Sequence, residues 1–254
     1  MSYGVQISTS GVLTALHRQD VLANNLANLN TAGYKPSIPD IRSRDAARQE
    51  DGLYHLPGDT LLERLGAGVV PAPTRIGFTQ GPVETTGNDL DLAIEGDGFL
   101  AVRDGDTTSL TRDGRLALNA RGQLVLAGSG NPVLGQGNSP ITLPTDARIE
   151  FGSDGTVFAD GEPFANLRFV DVPDKSALIK KGAGLFSLDS VPAAALRPAG
   201  GRIVQGAIEG SAVNEIDAML QVQAAAKAVA GNIGVISYHD RMSERAINTF
   251  GRIA

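Results

Sequence analysis

The sequence predicts an α+β protein, with long N- and C-terminal helices packed as a coiled-coil-like pair and a central antiparallel β domain between them in the chain. Three observations carry this expectation. Apolar residues recur at helical spacing over residues 5–29, no proline occurs from Ser211 onward, and the middle of the chain alternates apolar with polar residues between Asp-Gly pairs. The predicted organisation is an N-terminal helix over 1–33, an extended connector over 34–75, the β domain over 76–206 and a C-terminal helix over 207–254.

The first helix is read from Val5, Val12, Leu16, Leu22, Leu26 and Leu29, which recur mostly three, four or seven residues apart, with one step of six from Leu16 to Leu22. Asn24, Asn25 and Asn28 fall in its last turns, although the asparagine amide competes with the backbone for hydrogen bonds. Asn24 and Asn28 share one face. Their amides suit pairing across a helix-helix contact, or equally the solvated end of an ordinary helix. Gly33 is the expected left-handed residue of a C-terminal cap over Asn30–Gly33.

Pro36 and Pro39 stop the helix, and residues 40–75 mix charge with Gly-Pro punctuation. The charge-dense run from Arg42 to Glu50 reads as a solvated face. Period-two alternation then begins, with Leu90, Leu92 and Ile94 and again with Leu116 and Leu118. Between about Arg75 and Asp189, five Asp-Gly pairs, beginning at Asp97, Asp104, Asp113, Asp154 and Asp160, predict successive hairpins. The expected core takes Phe99, Val102, Leu110, Leu124, Val133, Ile149, Phe151, Val157, Phe169 and Val170. Residues 190–206 read as a second connector.

In the last helix, Ser211 or Asn214 can cap the start, Glu215 and Asp217 place negative charge in the first turn, and Arg252 places positive charge at the end. Val213, Ala224, Val235 and Ala246, with Leu220, Gly231, Met242 and Ile253, follow an eleven-residue rhythm that predicts a straight or slightly right-handed supercoil. At about 1.5 Å per residue the two helices would run roughly 39 and 63 Å, against about 30 Å for a small domain. Their stripes must therefore pair with each other and then with other subunits.

Composition narrows the chemistry. A net charge of -6 offers no footprint for nucleic acid or an anionic membrane, and the absence of cysteine removes disulfides and thiolate metal sites. With 31 Gly and 13 Pro the 254-residue chain is turn-rich, and aromatic residues at 5% make a stacking platform for bases or sugars a poor expectation. No stretch approaches the roughly 20 apolar residues of a spanning helix, and the N-terminus lacks the pattern of a cleaved secretory signal. His17, His55 and His239 do not form a metal-ligand pair, and no nucleophile elbow, phosphate loop or dinucleotide fingerprint occurs. The expectation is no catalytic residue, no cofactor, no metal and no membrane insertion. Asp104, Asp106 and Asp113 lack the order of a calcium loop, and Asp89, Asp91, Glu95 and Asp97 alternate outward from a strand.

Four stretches together resemble the bacterial flagellar rod and hook family. They are Ala23-Asn24-Asn25-Leu26-Ala27-Asn28 with Thr31-Ala32-Gly33-Tyr34-Lys35; Asp91 to Leu100; Thr111-Arg112-Asp113-Gly114 with Asn119 to Val125; and Gln205 to Asn214. Ala212 departs from the family's usual asparagine, and the large outer insertions of a hook protein are missing. The resemblance implies a non-enzymatic structural subunit of the flagellar basal-body rod, exported through the flagellar type III apparatus without a cleaved signal peptide. It implies a periplasmic rod location and partnership with other rod proteins and with copies of itself. Terminal helices would line the axial tube and transmit torque from motor to hook.

The assembly interface is expected at Val12, Leu16, Leu22, Asn24, Asn25, Leu26, Asn28 and Leu29 of the first helix. On the last it is expected at Val213, Ile216, Leu220, Val235, Met242 and Phe250. Residues 134–186 and the helix entry resemble the proximal-rod type, whereas the long connector before Asp91 resembles the distal type; the proximal assignment is preferred. The alternatives are a distal-rod subunit, a secreted β-domain binding module that oligomerises through its helices, and a carboxylate hydrolase. The last lacks an organised site.

Overall fold

The computed structural model describes residues 3–50, 52, 66–144, 147–189, 191 and 195–250. The chain divides into two compact units, a helical one of residues 1–27, 37–75 and 214–254 and a β unit of 28–36 and 76–213. Packed terminal helices and a central antiparallel β domain bear out the α+β expectation.

In the helical unit, α1 spans Tyr3–Ala27, β1 Ser37–Ser43, α2 Ala47–Glu50, β2 Val69–Ile76 and α3 Glu215–Phe250. At about 1.5 Å per residue α1 is roughly 37 Å long and α3 roughly 54 Å. Thr9, Ser10 and Thr14 turn their hydroxyls back onto the carbonyls of Val5, Ile7 and Ser10, each at 2.8 Å, which satisfies them inside the helix. Ser10 Oγ also accepts the Val69 N–H at 3.2 Å, joining α1 to the start of β2. α3 opens on Asn214, whose Oδ1 accepts the Asp217 N–H at 3.1 Å. Arg252, the expected positive charge at the other end, lies outside the described residues.

The seam between α1 and α3 sets glycine and other small residues of α1 against a mixed stripe on α3. Along α3 the least exposed positions are Ala218, Val222, Ala225, Val229, Asn232, Ile236 and His239, spaced by alternating fours and threes. Ser8, Gly11 and Ala15 lie buried or half-buried on α1. A Cβ added at Gly4 would lie 2.9 Å from His239 Nε2, and one at Gly11 would lie 2.8 Å from Asn232 Oδ1. Seven residues forward on α1 match seven backward on α3, so the helices run antiparallel. The eleven-residue rhythm is corrected here: Ala224, Gly231, Val235, Met242 and Ala246 are exposed and Val213 is half-buried. Ile253 lies outside the described residues. That rhythm alternates sevens and fours, whereas the positions that face α1 alternate fours and threes, so the two pick out different stripes of the helix.

In the β unit, β3 spans Val83–Thr85, β4 Leu92–Glu95, β5 Phe99–Asp104, β6 Thr107–Thr111, β7 Leu116–Leu118 and β8 Leu124–Leu126. They are followed by β9 Ile149–Phe151, β10 Thr156–Ala159, β11 Glu162–Asn166, β12 Phe169–Asp171, β13 Ile179–Gly182 and β14 Leu185–Ser187. The last strands are β15 Arg197–Pro198, β16 Arg202–Gln205 and β17 Ala207–Glu209. The largest sheet has the order β13-β14-β6-β5-β12-β15, and β11-β10-β9 form a second. β16 pairs with β4, β17 with β3 and β7 with β8, all antiparallel.

β5 separates two apolar clusters. Leu100 and Val102 face Leu92, Leu124, Val133 and Val157, while Phe99 and Ala101 join Leu110, Leu134, Val172 and Phe186. A strand covered on both faces needs no polar alternation, so the run Phe99-Leu100-Ala101-Val102 is apolar throughout. Phe169 and Val170 are half-buried at the margin of these clusters. Residues 190–206 are not merely a connector, because β15 and β16 form there and Ile203 is buried.

Of the five Asp-Gly pairs, three make hairpins. Asp160 and Gly161 both take positive φ, 52° and 83°, in the two-residue turn between β10 and β11. Gly105 sits in the β5–β6 turn and Gly155 in the β9–β10 turn. Gly98 and Gly114 serve close approach instead. A Cβ on Gly114 would lie 1.6 Å from the Leu92 carbonyl oxygen.

Candidate functional site

Residues from all four sequence landmarks meet at one buried carboxylate. The chain leaves α1 through a turn in which Thr31 N–H bonds to Asn28 O at 3.2 Å, and Gly33 follows at φ +64°. Gly33 is not the helix cap that its spacing predicts, since α1 already ends at Ala27. Its N–H donates to the Glu209 carbonyl at 2.7 Å, and an added Cβ would lie 2.3 Å from the Arg112 carbonyl carbon. Glycine is required here by a backbone-on-backbone approach.

That approach delivers Lys35 to Glu209. Lys35 Nζ donates to Glu209 Oε1 at 2.6 Å and to the Thr79 carbonyl at 2.7 Å. Arg112 Nη1 donates to Glu209 Oε2 at 3.2 Å, and its Nη2 to the Gly96 carbonyl at 2.6 Å. The Gly81 N–H completes the carboxylate's shell at 2.9 Å from Oε1. Lys35, Arg112 and Glu209 are at most 2% exposed. Tyr34 O accepts the Ala212 N–H at 3.0 Å, and Pro82 O accepts the Gly210 N–H at 2.7 Å, so the same segments are also tied through their backbones.

Two cations and one carboxylate leave an excess positive charge away from water. Carbonyl dipoles of Thr79 and Gly96 face it, and the Arg112 guanidinium lies 5.2 Å from the Phe99 ring centroid. Phe99 in turn meets Phe78 and Phe186 edge-on, with centroids 5.7 Å away in both cases. Arg112 Nε is buried without a hydrogen-bond partner. Burial pushes the Lys35 amine below its ordinary 10.5, and the hydrogen bond and charge of Glu209 pull it partly back. Nearby, Lys180 stands over the Tyr34 ring at 4.1 Å, and desolvation lowers it to about 8. Between about 8 and 10.5 the unfolded chain holds this proton and the folded chain releases it, so the residue's contribution favours folding increasingly as pH rises.

Breaking such a buried ion set by removing one partner costs about 3–5 kcal/mol, because the remaining charges stay desolvated. Both carboxylate oxygens of Glu209 are engaged by the protein itself, which suits a tie between segments better than a substrate site. Among the described residues no group of three His, Cys, Asp or Glu is placed to hold a metal ion. His55 lies outside the described residues. One open groove of about 290 Å³ runs past Gln136, Ile141 and Phe164, and no ionisable side chain lines it.

The residues expected to mediate assembly fall into distinct environments. Asn25 is buried, and its amide clamps one peptide unit: Nδ2 donates to Ser37 O at 2.7 Å and Oδ1 accepts the Ser37 N–H at 2.8 Å. Asn24 is exposed, and half-buried Asn28 accepts the Thr31 hydroxyl at 3.1 Å. Leu22 is buried, Val12, Leu26, Leu29 and Val213 are half-buried, and Leu16 is exposed. On α3, Ile216 is 70% exposed, Leu220 58%, Met242 53% and Val235 46%, and Met219, Ile233, Tyr238 and Ile247 join them at the surface. The side chain of Phe250, the last residue of α3, lies outside the described residues. α3 therefore carries far more large apolar surface than a solvated helix needs.

Sequence spacing did not reveal the Lys35–Glu209–Arg112 set. Its one signal was an ionisable residue embedded in stretches otherwise rich in glycine, small and apolar residues, as in Ala32-Gly33-Tyr34-Lys35 and Ala207-Ile208-Glu209-Gly210.

Comparison with known proteins gives two family matches. A family model described as flagella basal body rod protein matches residues 6–35, and one described as the flagellar hook protein FlgE/F/G D1 domain matches residues 93–159. The chain is similar at 31% identity to the flagellar basal-body rod protein FlgF of Caulobacter vibrioides, over the whole of both chains. It is 31% identical to the rod protein FlgG of Bacillus subtilis over 94% of this chain and 96% of that one. Against FlgF of Escherichia coli the identity is 30% over 97% of each. The first matched segment contains Lys35 and the second contains Arg112.

Proposed function

The chain belongs to the flagellar basal-body rod protein family, and from that premise we propose that it is a structural subunit of the bacterial flagellar rod. It performs no reaction. Its place is the flagellar basal body, where it assembles with other rod proteins and with copies of itself. The observation that carries this reading is the apolar surface of α3, where Ile216, Leu220, Val235 and Met242 lie outside the seam with α1.

The finer reading is a proximal-rod subunit. The antiparallel pair of α1 and α3, with its heptad-spaced seam, acts as a short coiled coil whose outward bulky residues join neighbouring pairs into the axial shaft. Export through the flagellar type III apparatus without a cleaved signal, and torque transfer from motor to hook across the periplasm, belong to the same reading. The assembly contacts are assigned to Leu16 and Asn24 on α1 and to the exposed residues of α3; Leu22 and Asn25 hold the unit together internally.

Mass spectrometry of isolated hook–basal bodies tests both levels. A few copies of the chain relative to the other axial proteins is the outcome expected for the proximal rod, and a several-fold larger number moves it to the distal rod. Absence would overturn the rod assignment and return the protein to the binding-module alternative.

A further inference from the structure

The chain passes between its two units after residues 27, 36, 75 and 213. Inside the β unit these four crossings are served by three stretches, 28–36, 76–82 and the approach to 213. All three converge on Glu209. The first supplies Lys35 to its Oε1, the second supplies the Gly81 N–H to the same oxygen, and the third contains Glu209 itself. Backbone bonds from Gly33 to Glu209, from Gly210 to Pro82, from Gly77 to Pro36 and from Ala212 to Tyr34 tie the stretches to one another. The second carboxylate oxygen is held by Arg112, one residue beyond β6, whose other arm holds Gly96 O ahead of β5. β5 and β6 are the central strands of the largest sheet.

We propose that Glu209 is a positioning residue that fastens every crossing stretch to the central strands, so that shear applied to the terminal helices is delivered to the β unit instead of peeling residues 28–36 away from it. The proposal rests on the rod reading for the origin of the shear, and on geometry for the joint. Apolar contacts let surfaces slide at little cost. Short bonds between fixed donors and a carboxylate are directional and resist a change of register. Glu209 receives such bonds from three separate segments at 2.6, 2.9 and 3.2 Å.

Native-state amide exchange on the purified full-length chain tests the joint, with Glu209→Gln as the variant. The expected result is exchange roughly ten- to a hundredfold faster at Gly33, Gly81 and Ala212, with unchanged rates at Ala101 and Leu134, whose amides bond within the sheet core. In cells the variant should enter basal bodies in wild-type amount, yet swimming should fail at a medium viscosity at which the wild type still swims. Unchanged junction amides, equal acceleration throughout the β unit, or wild-type swimming under load despite accelerated exchange would each overturn the proposal. Should Glu209→Gln fail to fold, Arg112→Lys, which keeps a cation but loses the second arm to Gly96, is read by the same criteria. Absence of the wild-type chain from basal bodies sinks the rod reading alone and leaves the exchange pattern to judge the joint.

Discussion

Where the β unit hides Phe99, Leu110 and Leu134 completely, the helical unit leaves Ile216, Leu220 and Met242 in water and buries Ala218, Ala225 and Ser8 instead. The inversion has a packing cause. At the closest approach of the two helices, where a Cβ on Gly11 would meet Asn232, there is no room for a leucine, and Ile216, Leu220 and Met242 lie off the seam. The β unit has sheets thick with large side chains on both faces of β5 and needs nothing further to cover them. One region covers most of its large apolar residues itself, and the other leaves many of them in water. Side-chain size thus has different meanings in the two units: most large apolar residues are interior in the β unit, whereas on α3 many are exposed and, in the rod we propose, would face a partner.

Substitution can break this comparison on a single scale, the unfolding free energy of the purified chain. The largest effect is expected at Phe99, which fills the apolar cluster, meets Phe78 and Phe186 edge-on and lies under the Arg112 guanidinium. Phe99→Ala should cost about 3–5 kcal/mol, as a cavity in a core that cannot collapse. Denaturant unfolding followed by far-UV circular dichroism reads the loss. A cost below about 1 kcal/mol would mean that the β unit is not the closed region described.

How much of this was legible in the sequence follows the same division. Local signals served well: the helical spacing at both ends, the Asn214 cap and the Asp160-Gly161 turn each depend on neighbours a few residues apart. The Lys35–Glu209 bond spans 174 residues and the Arg112–Glu209 bond 97, and no periodicity links such positions. The motifs that hold these residues were recognisable by resemblance, but what their charges do was not. Asn25 stood out only by its place in the last turns of the helix, and no spacing in the sequence foretells that the returning Ser37 peptide lies on its side of the helix. The α3 seam was missed because an eleven-residue rhythm tracks a different stripe from the heptad-spaced Ala218, Val222, Ala225, Val229, Asn232, Ile236 and His239.

An intermediate effect is expected at Asn25, which sharpens the comparison from the helical side. Its amide makes two bonds to the Ser37 peptide at 2.7 and 2.8 Å, and no water-exposed route replaces them while the residue stays buried. Asn25→Ala should cost about 1–3 kcal/mol, since it strands a buried donor and acceptor. The loss should be confined to the helical unit. Amide exchange should accelerate at Ser37 and along β1 while the β5–β6 amides keep their protection. Equal acceleration in both units would show that the helical unit has no internal tie of its own.

The smallest effect on folding is expected at Leu220, and there the comparison is at its most exposed. Leu220 is 58% accessible and lies outside the seam positions Ala218, Val222 and Ala225, so Leu220→Asp removes little buried surface. It also stands near the N-terminal end of α3, where a negative charge is tolerated by the helix dipole. The purified variant should therefore unfold within about 0.5 kcal/mol of the wild type. In an assembled rod the same carboxylate would be pressed against an apolar neighbour without a partner, a desolvation cost that protein–protein contacts do not recover. Cells carrying only Leu220→Asp should make the chain in normal amount, leave it out of their hook–basal bodies and fail to swim. A variant that swims normally would show that the apolar face of α3 is not an assembly surface. A variant that fails because it unfolds would show that the outward leucine was part of the fold after all, and the contrast between a closed β unit and an open helical one would not hold at this residue.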